Sequence, residues 1–480
     1  MGNIMNQSIA KNTAFMTFAS IAQKIISFVY FTLIARSLGV EGTGKYFLAL
    51  SFTTIFVVFV DLGMTNVLVR ESAKVRQNIQ KYLSTVLSVK LLFGIFSYCG
   101  VFILSSFLYS DRELEHLIWL SGVTMLFDSF NLSVYGVLRA LGDLRFESIS
   151  ITLSQFFSFV LGSVFLFFHL PLIFLILAFT IPSAINSIFS AVIVFKKYRV
   201  KPFPAFDKAT FIFLWKITIP FALAAIFARV YSYIDTILLK QFLGDSAVGF
   251  YSTPYKITFA FQFIPLALIA ALYPRFSEYF VHQKEKLSTI FQDSLKYLLI
   301  LSVPIAFGIA VLAEDILVFL YTEEFLPSVL PLQILILSLI FSFLSFPLGA
   351  LLNACNKQAT QTKIVGLVML FNIGLNLILI PLFGVTGAAL SAFAGNALLA
   401  IVGYAFVGSV LRVDQNRMLK NLFRVFLSGG IMTITVWFTN FFVHFILSIF
   451  CGAFIYIGML FLSKALSIAE VQEAFRMLKK

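Results

Sequence analysis

Fourteen apolar stretches, each near the ~20 residues that cross a bilayer, run through the chain. They lie at 13–35, 46–69, 82–107, 116–138, 148–168, 172–195, 211–239, 249–273, 295–313, 328–352, 364–382, 386–411, 422–443 and 446–464. Lipid offers no hydrogen bonds to the backbone, so segments of this length must satisfy their own N–H and C=O groups as helices. Composition agrees, since only 12% of the 480 residues are charged and 60% are apolar. A soluble domain carries about 25% charged residues. The expected fold is an all-α polytopic membrane protein of about 14 transmembrane helices, with no room for a soluble catalytic module.

The net charge of +13 points first to cytoplasmic loops rather than to nucleic acid, because cytoplasmic connections gather Lys and Arg. The connections at 1–12, 70–81, 139–147, 196–210, 274–296, 353–363, 412–424 and 464–480 hold 26 of the 35 Lys and Arg. The alternate set holds four, Arg36, Lys45, Arg112 and Lys240. This split places both termini in the cytoplasm. The first apolar stretch has no short h-region or small-x-small cleavage site, so it is expected to remain as a span. Cytoplasmic segments 278–296 and 467–480 mix charge with spaced apolar residues, as short surface helices do. Cys99, Cys355 and Cys451 match no metal or disulfide spacing and are read as small core residues. The four His residues have no metal spacing, and no P-loop pattern occurs.

The chain also repeats itself. At an offset of 205 residues, Leu38-Gly39, Gly44 and Tyr46 fall on Leu243-Gly244, Gly249 and Tyr251, while Lys24 falls on Arg229 and Arg70 on Arg275. Six spans per repeat is an even number, so both copies share one orientation, related by an axis along the membrane normal. The expected organisation is two pseudo-symmetric six-helix lobes, 1–207 and 208–411, followed by 412–480 with two further helices and a cytoplasmic tail.

Eight ionisable residues fall inside expected spans: Lys24, Asp61, Lys90, Asp128, Lys216, Arg229, Asp235 and Lys256. At a helix centre such a group costs about 2.5–3.5 kcal/mol to insert, and it normally faces a bundle interior or a wet cavity. Six of the eight lie in the spans that the repeat makes equivalent, and the set sums to +2. A cavity of that sign suits an anion, and a phosphate or diphosphate fits an Arg fork beside a Lys point charge. Lys24, Arg229, Lys256, Lys90 and Lys216 are therefore candidate substrate-binding residues. Lys90 and Lys216 have the alternative of snorkelling to the interface. Asp61, Asp128 and Asp235 are candidates for ion coupling or for charge pairing. Arg70 and Arg275 could close a cytoplasmic gate or anchor helices at lipid phosphates. No catalytic residue and no metal site is expected.

This layout resembles the Wzx-type polysaccharide biosynthesis proteins of the multidrug/oligosaccharidyl-lipid/polysaccharide exporter superfamily, related to the MATE and MurJ transporters. The carriers of the resemblance are ARSLGVEGTGKY (35–46), DLGMTNVLVRESA (61–73), YIDTILLKQFLGDSAVGFYSTPYKI (233–257), YPRFSE (273–278) and NIGLNLILIPLFGVTGAA (372–389). The resemblance implies a V-shaped pair of lobes that works by alternating access as a flippase. It would turn an undecaprenyl-diphosphate-linked oligosaccharide, such as an O-antigen repeat unit, from the cytoplasmic to the outer leaflet. Cationic residues in a central cavity, here Lys24, Arg229 and Lys256, would hold the diphosphate. It further implies residence in the cell (inner) membrane, no cofactor beyond coupling to H+ or Na+, and membrane lipids and polysaccharide polymerase or assembly proteins as partners. No enzymatic conversion is expected. Two alternatives stay open: a cation-coupled multidrug antiporter of MATE type and a lipid II flippase.

Overall fold

The computed structural model describes residues 2–467, 470 and 472. Most of the tail expected over 467–480 falls outside them. Helices make up the fold, and no strand occurs among the described residues. Thirteen helical runs there are long and apolar enough to cross a membrane. The first of them, Ala19–Asp61, is 43 residues long and takes in most of two expected spans, 13–35 and 46–69. The runs are thus consistent with fourteen crossings.

Two compact units divide the chain, Met1–Ser252 and Thr253–Lys480. In the first lie α1 (Gly2–Asp61), α2 (Met64–Lys74), α3 (Ile79–Leu108), α4 (Arg112–Leu141), α5 (Arg145–Phe167), α6 (Ile173–Tyr198), α7 (Lys208–Leu243) and the start of α8 (Asp245–Ala260). The second holds the rest of α8, then α9 (Phe263–His282), α10 (Lys284–Val311), α11 (Ala313–Leu320), α12 (Val329–Ala354), α13 (Gln358–Phe383), α14 (Val385–Val407), α15 (Gln415–Asn440) and α16 (Phe445–Leu462). The division at 207/208 is one of sequence symmetry. By packing, α7 groups with the helices before it.

Local chemistry explains the breaks. α1 is interrupted at Gly39, with φ 65° and ψ −167°. Its repeat partner Gly244, which separates α7 from α8, has nearly the same conformation, φ 88° and ψ −170°. Only glycine adopts this region without strain, so the repeat is written into the backbone as well as the sequence. The expected span 46–69 ends early, at Asp61, because Leu62 and Gly63 both take positive φ. There the Asp61 carboxylate accepts the Gly63 N–H at 3.2 Å, and α2 begins as a separate helix. Asp111 and Asp207 cap α4 and α7 by accepting backbone N–H groups at 2.9 and 2.8 Å, as Asp does at helix starts. The expected surface helix at 278–296 is instead an extension of two long helices, α9 and α10, which meet at Gln283.

In the first unit α1 packs on α3, α4, α5 and α7, and α4 packs on α6. A buried cluster that includes Leu68, Leu83, Val86, Val134, Leu138 and Leu214 ties α2, α3, α4 and α7 together. The stacked rings of Phe93 and Trp215, 5.9 Å apart, fasten α7 to α3. Between α6 and α7 the connection is stitched down as well. The Gln80 amide donates to the Lys201 carbonyl at 2.9 Å and accepts its N–H at 2.6 Å, while the Ala205 N–H donates to the Ser84 carbonyl. In the second unit α12 packs on α9, α10 and α14, and α10 packs on α15. Of the cysteines, Cys355 is buried as expected, but Cys99 and Cys451 are exposed on helix surfaces. A thiol is apolar enough to face lipid as readily as a core.

Candidate substrate and ion sites within the membrane

α1 and α7 lie side by side, and this brings Lys24 and Arg229 within range of each other's charge. The two residues occupy equivalent positions of the repeat. Lys24, on α1, is half-buried and Arg229, on α7, is exposed. Two like charges held together repel, and an anion between them relieves that repulsion while accepting hydrogen bonds from both.

The other candidates divide. Lys90 is buried at 5% exposure and forms an ion pair with Asp61 at 2.5 Å. It also donates to the Thr65 hydroxyl at 2.9 Å and to the Ser129 carbonyl at 3.1 Å. Asp235 is buried and accepts a hydrogen bond from the Tyr251 hydroxyl at 2.8 Å. Asp128 accepts from the Ser183 hydroxyl. Lys216 is exposed on α7. Lys256, on the part of α8 in the second unit, is half-buried. Arg70 and Arg275 are both exposed, and Arg70 Nε lies 3.5 Å from the Glu71 carboxylate.

A polar ladder between α4 and α6 was not foreseen from the sequence. Thr124 meets Thr180 at 2.7 Å, Asn131 donates to the Ser183 carbonyl at 3.3 Å, and the Ser190 hydroxyl donates to Asn131 at 3.3 Å. Below them Asn186 donates to the Tyr135 hydroxyl at 2.6 Å. Asp128 sits within this ladder, on the face that α4 turns toward α6. The signal was present, because residues 124, 128, 131 and 135 recur at one-turn spacing, as do 180, 183, 187 and 190.

Between α4 and α5, Asp143 accepts from Lys197 at 2.7 Å and from the Tyr198 hydroxyl at 2.6 Å. Partial burial works against its charge, but these hydrogen bonds and the neighbouring Arg145 hold its carboxyl down at about 2. Close by, the fully buried Glu147 carboxylate accepts three hydrogen bonds from Arg139, from Nε at 3.0 Å to each oxygen and from Nη2 at 2.5 Å to Oε1.

Residues 9–280 match the family model for polysaccharide biosynthesis proteins. The chain belongs to that polysaccharide biosynthesis protein family. A second model, MatE, matches residues 220–378. Among relatives, a protein of Haloferax volcanii named a probable low-salt glycan biosynthesis flippase is 24% identical over 82% of this chain and 82% of its own length. The capsular polysaccharide biosynthesis protein CapF of Staphylococcus aureus is 23% identical over 83% of this chain and 99% of its own. The structure of the lipid II flippase MurJ in an inward closed conformation superposes with a TM-score of 0.78, at 17% identity, covering 92% of this chain and 97% of that one. This polysaccharide biosynthesis protein therefore has the MurJ-like fold and is a multi-pass membrane protein.

Proposed function

We propose that this polysaccharide biosynthesis protein is a flippase for a lipid-linked oligosaccharide, carried on undecaprenyl diphosphate and turned from the cytoplasmic to the outer leaflet by alternating access. The observation that carries the reading is the approach of Lys24 and Arg229, one from each repeat, within range of each other's charge. A diphosphate brings the negative charge that such a pair lacks, and its oxygens suit both a planar fork and a point donor. Lys216, on α7 with Arg229, would extend the cationic surface along the path of the headgroup, and Lys256 is a further candidate contact for the substrate. The names of the relatives, a glycan biosynthesis flippase and a capsular polysaccharide biosynthesis protein, point the same way.

The protein would reside in the cell (inner) membrane with both termini cytoplasmic. It would work without enzymatic conversion or a bound cofactor and would pass its cargo to polysaccharide polymerase or assembly proteins. The 1–207 and 208–411 repeats would serve as the two lobes of the cycle, and Arg70 and Arg275 would guard its cytoplasmic side. Asp128 and Asp235 are the carboxylates to examine for coupling to H+ or Na+.

The test is translocation of a fluorescent undecaprenyl-diphosphate oligosaccharide in proteoliposomes, wild type against Lys24→Ala/Arg229→Ala. Movement by wild type and loss in the double variant is the expected result. Equal movement by both would keep the flippase and remove the site. No movement by wild type would transfer support to a cation-coupled drug antiporter, the reading favoured by the MatE match over residues 220–378.

A further inference from the structure

Lys90 sits in a setting that resembles the coordination shell of a free ion more than an ordinary salt bridge. Its ammonium has three oxygen neighbours of three kinds: the Asp61 carboxylate at 2.5 Å, the Thr65 hydroxyl at 2.9 Å and the Ser129 carbonyl at 3.1 Å. The Ser129 hydroxyl, on a residue only 1% exposed, has no hydrogen-bond partner among the described residues. Lys90 and Ser129 both line one crevice of about 160 Å³, whose other walls are apolar side chains such as Val60, Leu87 and Leu126.

The oxygens and the ammonium come from different helices. Asp61 ends α1, Thr65 is in the first turn of α2, and Ser129 is in α4, whereas Lys90 reaches in from α3. The carboxylate is also held independently of Lys90, by the Gly63 N–H and the Thr65 hydroxyl. Removing the lysine side chain would therefore leave a fixed set of oxygens with one negative charge. A single positive charge balances that set, and a divalent ion would overfill it.

We propose that Lys90 is the built-in occupant of a monovalent-cation site formed by Asp61, Thr65 and Ser129, and that without Lys90 the site binds Na+ or K+. With its own ammonium in place, the first unit has no exchangeable ion at Asp61. In the transport reading, on which this last consequence rests, any ion that drives the cycle must bind elsewhere. The occupancy itself is a matter of binding and does not depend on what is carried.

The experiment compares melting temperatures of the full-length protein in lipid nanodiscs, in NaCl, KCl or choline chloride at equal ionic strength. Wild type, Lys90→Met and Lys90→Met/Asp61→Asn are measured side by side. Wild type should melt alike in all three salts. Lys90→Met should gain about 3–5 °C in NaCl or KCl over choline, the size expected for a ligand well above its Kd, and the double variant should lose that gain. Recovery of folded Lys90→Met only when Na+ or K+ is present throughout purification would support the proposal equally. A Lys90→Met protein that melts alike in every salt would overturn it. So would one that fails to fold in any salt while the double variant folds, or an Asp61-dependent response to Na+ in a protein that keeps Lys90. A failed flipping assay would leave these melting curves untouched, so the two readings fall separately.

Discussion

Gly44 and Gly249 cross so closely that neither has room for a side chain. A Cβ on Gly44 would lie 2.0 Å from the Asp245 carbonyl oxygen, and one on Gly249 would lie 2.1 Å from the Val40 carbonyl oxygen. The contact is reciprocal, because Val40 and Asp245 are themselves 205 residues apart, like the two glycines. Backbone cannot swing aside as a flexible side chain can. Gly44→Ala or Gly249→Ala should therefore cost about 1–3 kcal/mol, the range for overpacking. The double variant should cost less than the sum of the two, since one displacement relieves both contacts. Melting temperatures of the three proteins measure this, and an unshifted Gly44→Ala would contradict the close crossing.

The pairing of Lys24 with Arg229 makes stability and activity respond in opposite directions. Arg229→Glu replaces a repulsion by an attraction, so the protein should gain about 0.5–1 kcal/mol. The same change takes away the anion's fork and should abolish lipid-linked oligosaccharide movement in proteoliposomes. A variant that is more stable and still active would place the anion elsewhere.

In the α4–α6 ladder, Ser183→Ala takes from Asp128 its hydroxyl donor. A carboxylate left without its partner costs about 1–3 kcal/mol. Adding Asp128→Leu to that background should recover most of the loss, because both polar partners are then gone. A thermal shift series over the single and double variants decides this.

How much of this was legible follows from what one-dimensional patterns encode. The apolar stretches located the crossings. The match of Gly39 with Gly244 was legible as part of the repeat, but that the two glycines share a positive-φ backbone came only with the structure. The juxtaposition of Lys24 and Arg229 was half legible: the repeat made them equivalent, and only the packing of α1 on α7 made them neighbours. Lys90 could not be resolved from sequence. Period alone fixes which face a residue occupies on its own helix, and says nothing of the Asp61, Thr65 and Ser129 oxygens that three other helices bring to it. The end of the second span at Asp61 was obscured because the apolar run continues past Gly63 into α2, and hydropathy does not register a change of direction.

Asp143, in the turn between α4 and α5, gives a pH signature. Its carboxyl titrates at about 2 in the folded protein, against about 3.9 in an unfolded chain. A depressed folded value adds stability that is fully present above pH ~4 and is lost as pH falls toward 2. The group is partly solvated, so the contribution is set at roughly 1 kcal/mol after screening. Asp143→Asn should thus melt below wild type by a constant margin between pH 7 and 5, and the margin should close on acidification below 4. A margin that widens in acid would show that the ion pair with Lys197 is not its source.

The stitching of residues 201–205 onto α3 bears on how the chain is built during synthesis. Once α3 and α6 are in the membrane, the strand of chain emerging next is already fastened to α3 through Gln80 and Ser84. α7 is then released only a few residues from the place where Trp215 stacks on Phe93, so the search that a loose tether would demand is short. The second copy of the repeat thus begins on a surface the first copy has prepared. Lengthening this connection with flexible residues should lower the yield of correctly assembled protein well before it alters anything the finished transporter does.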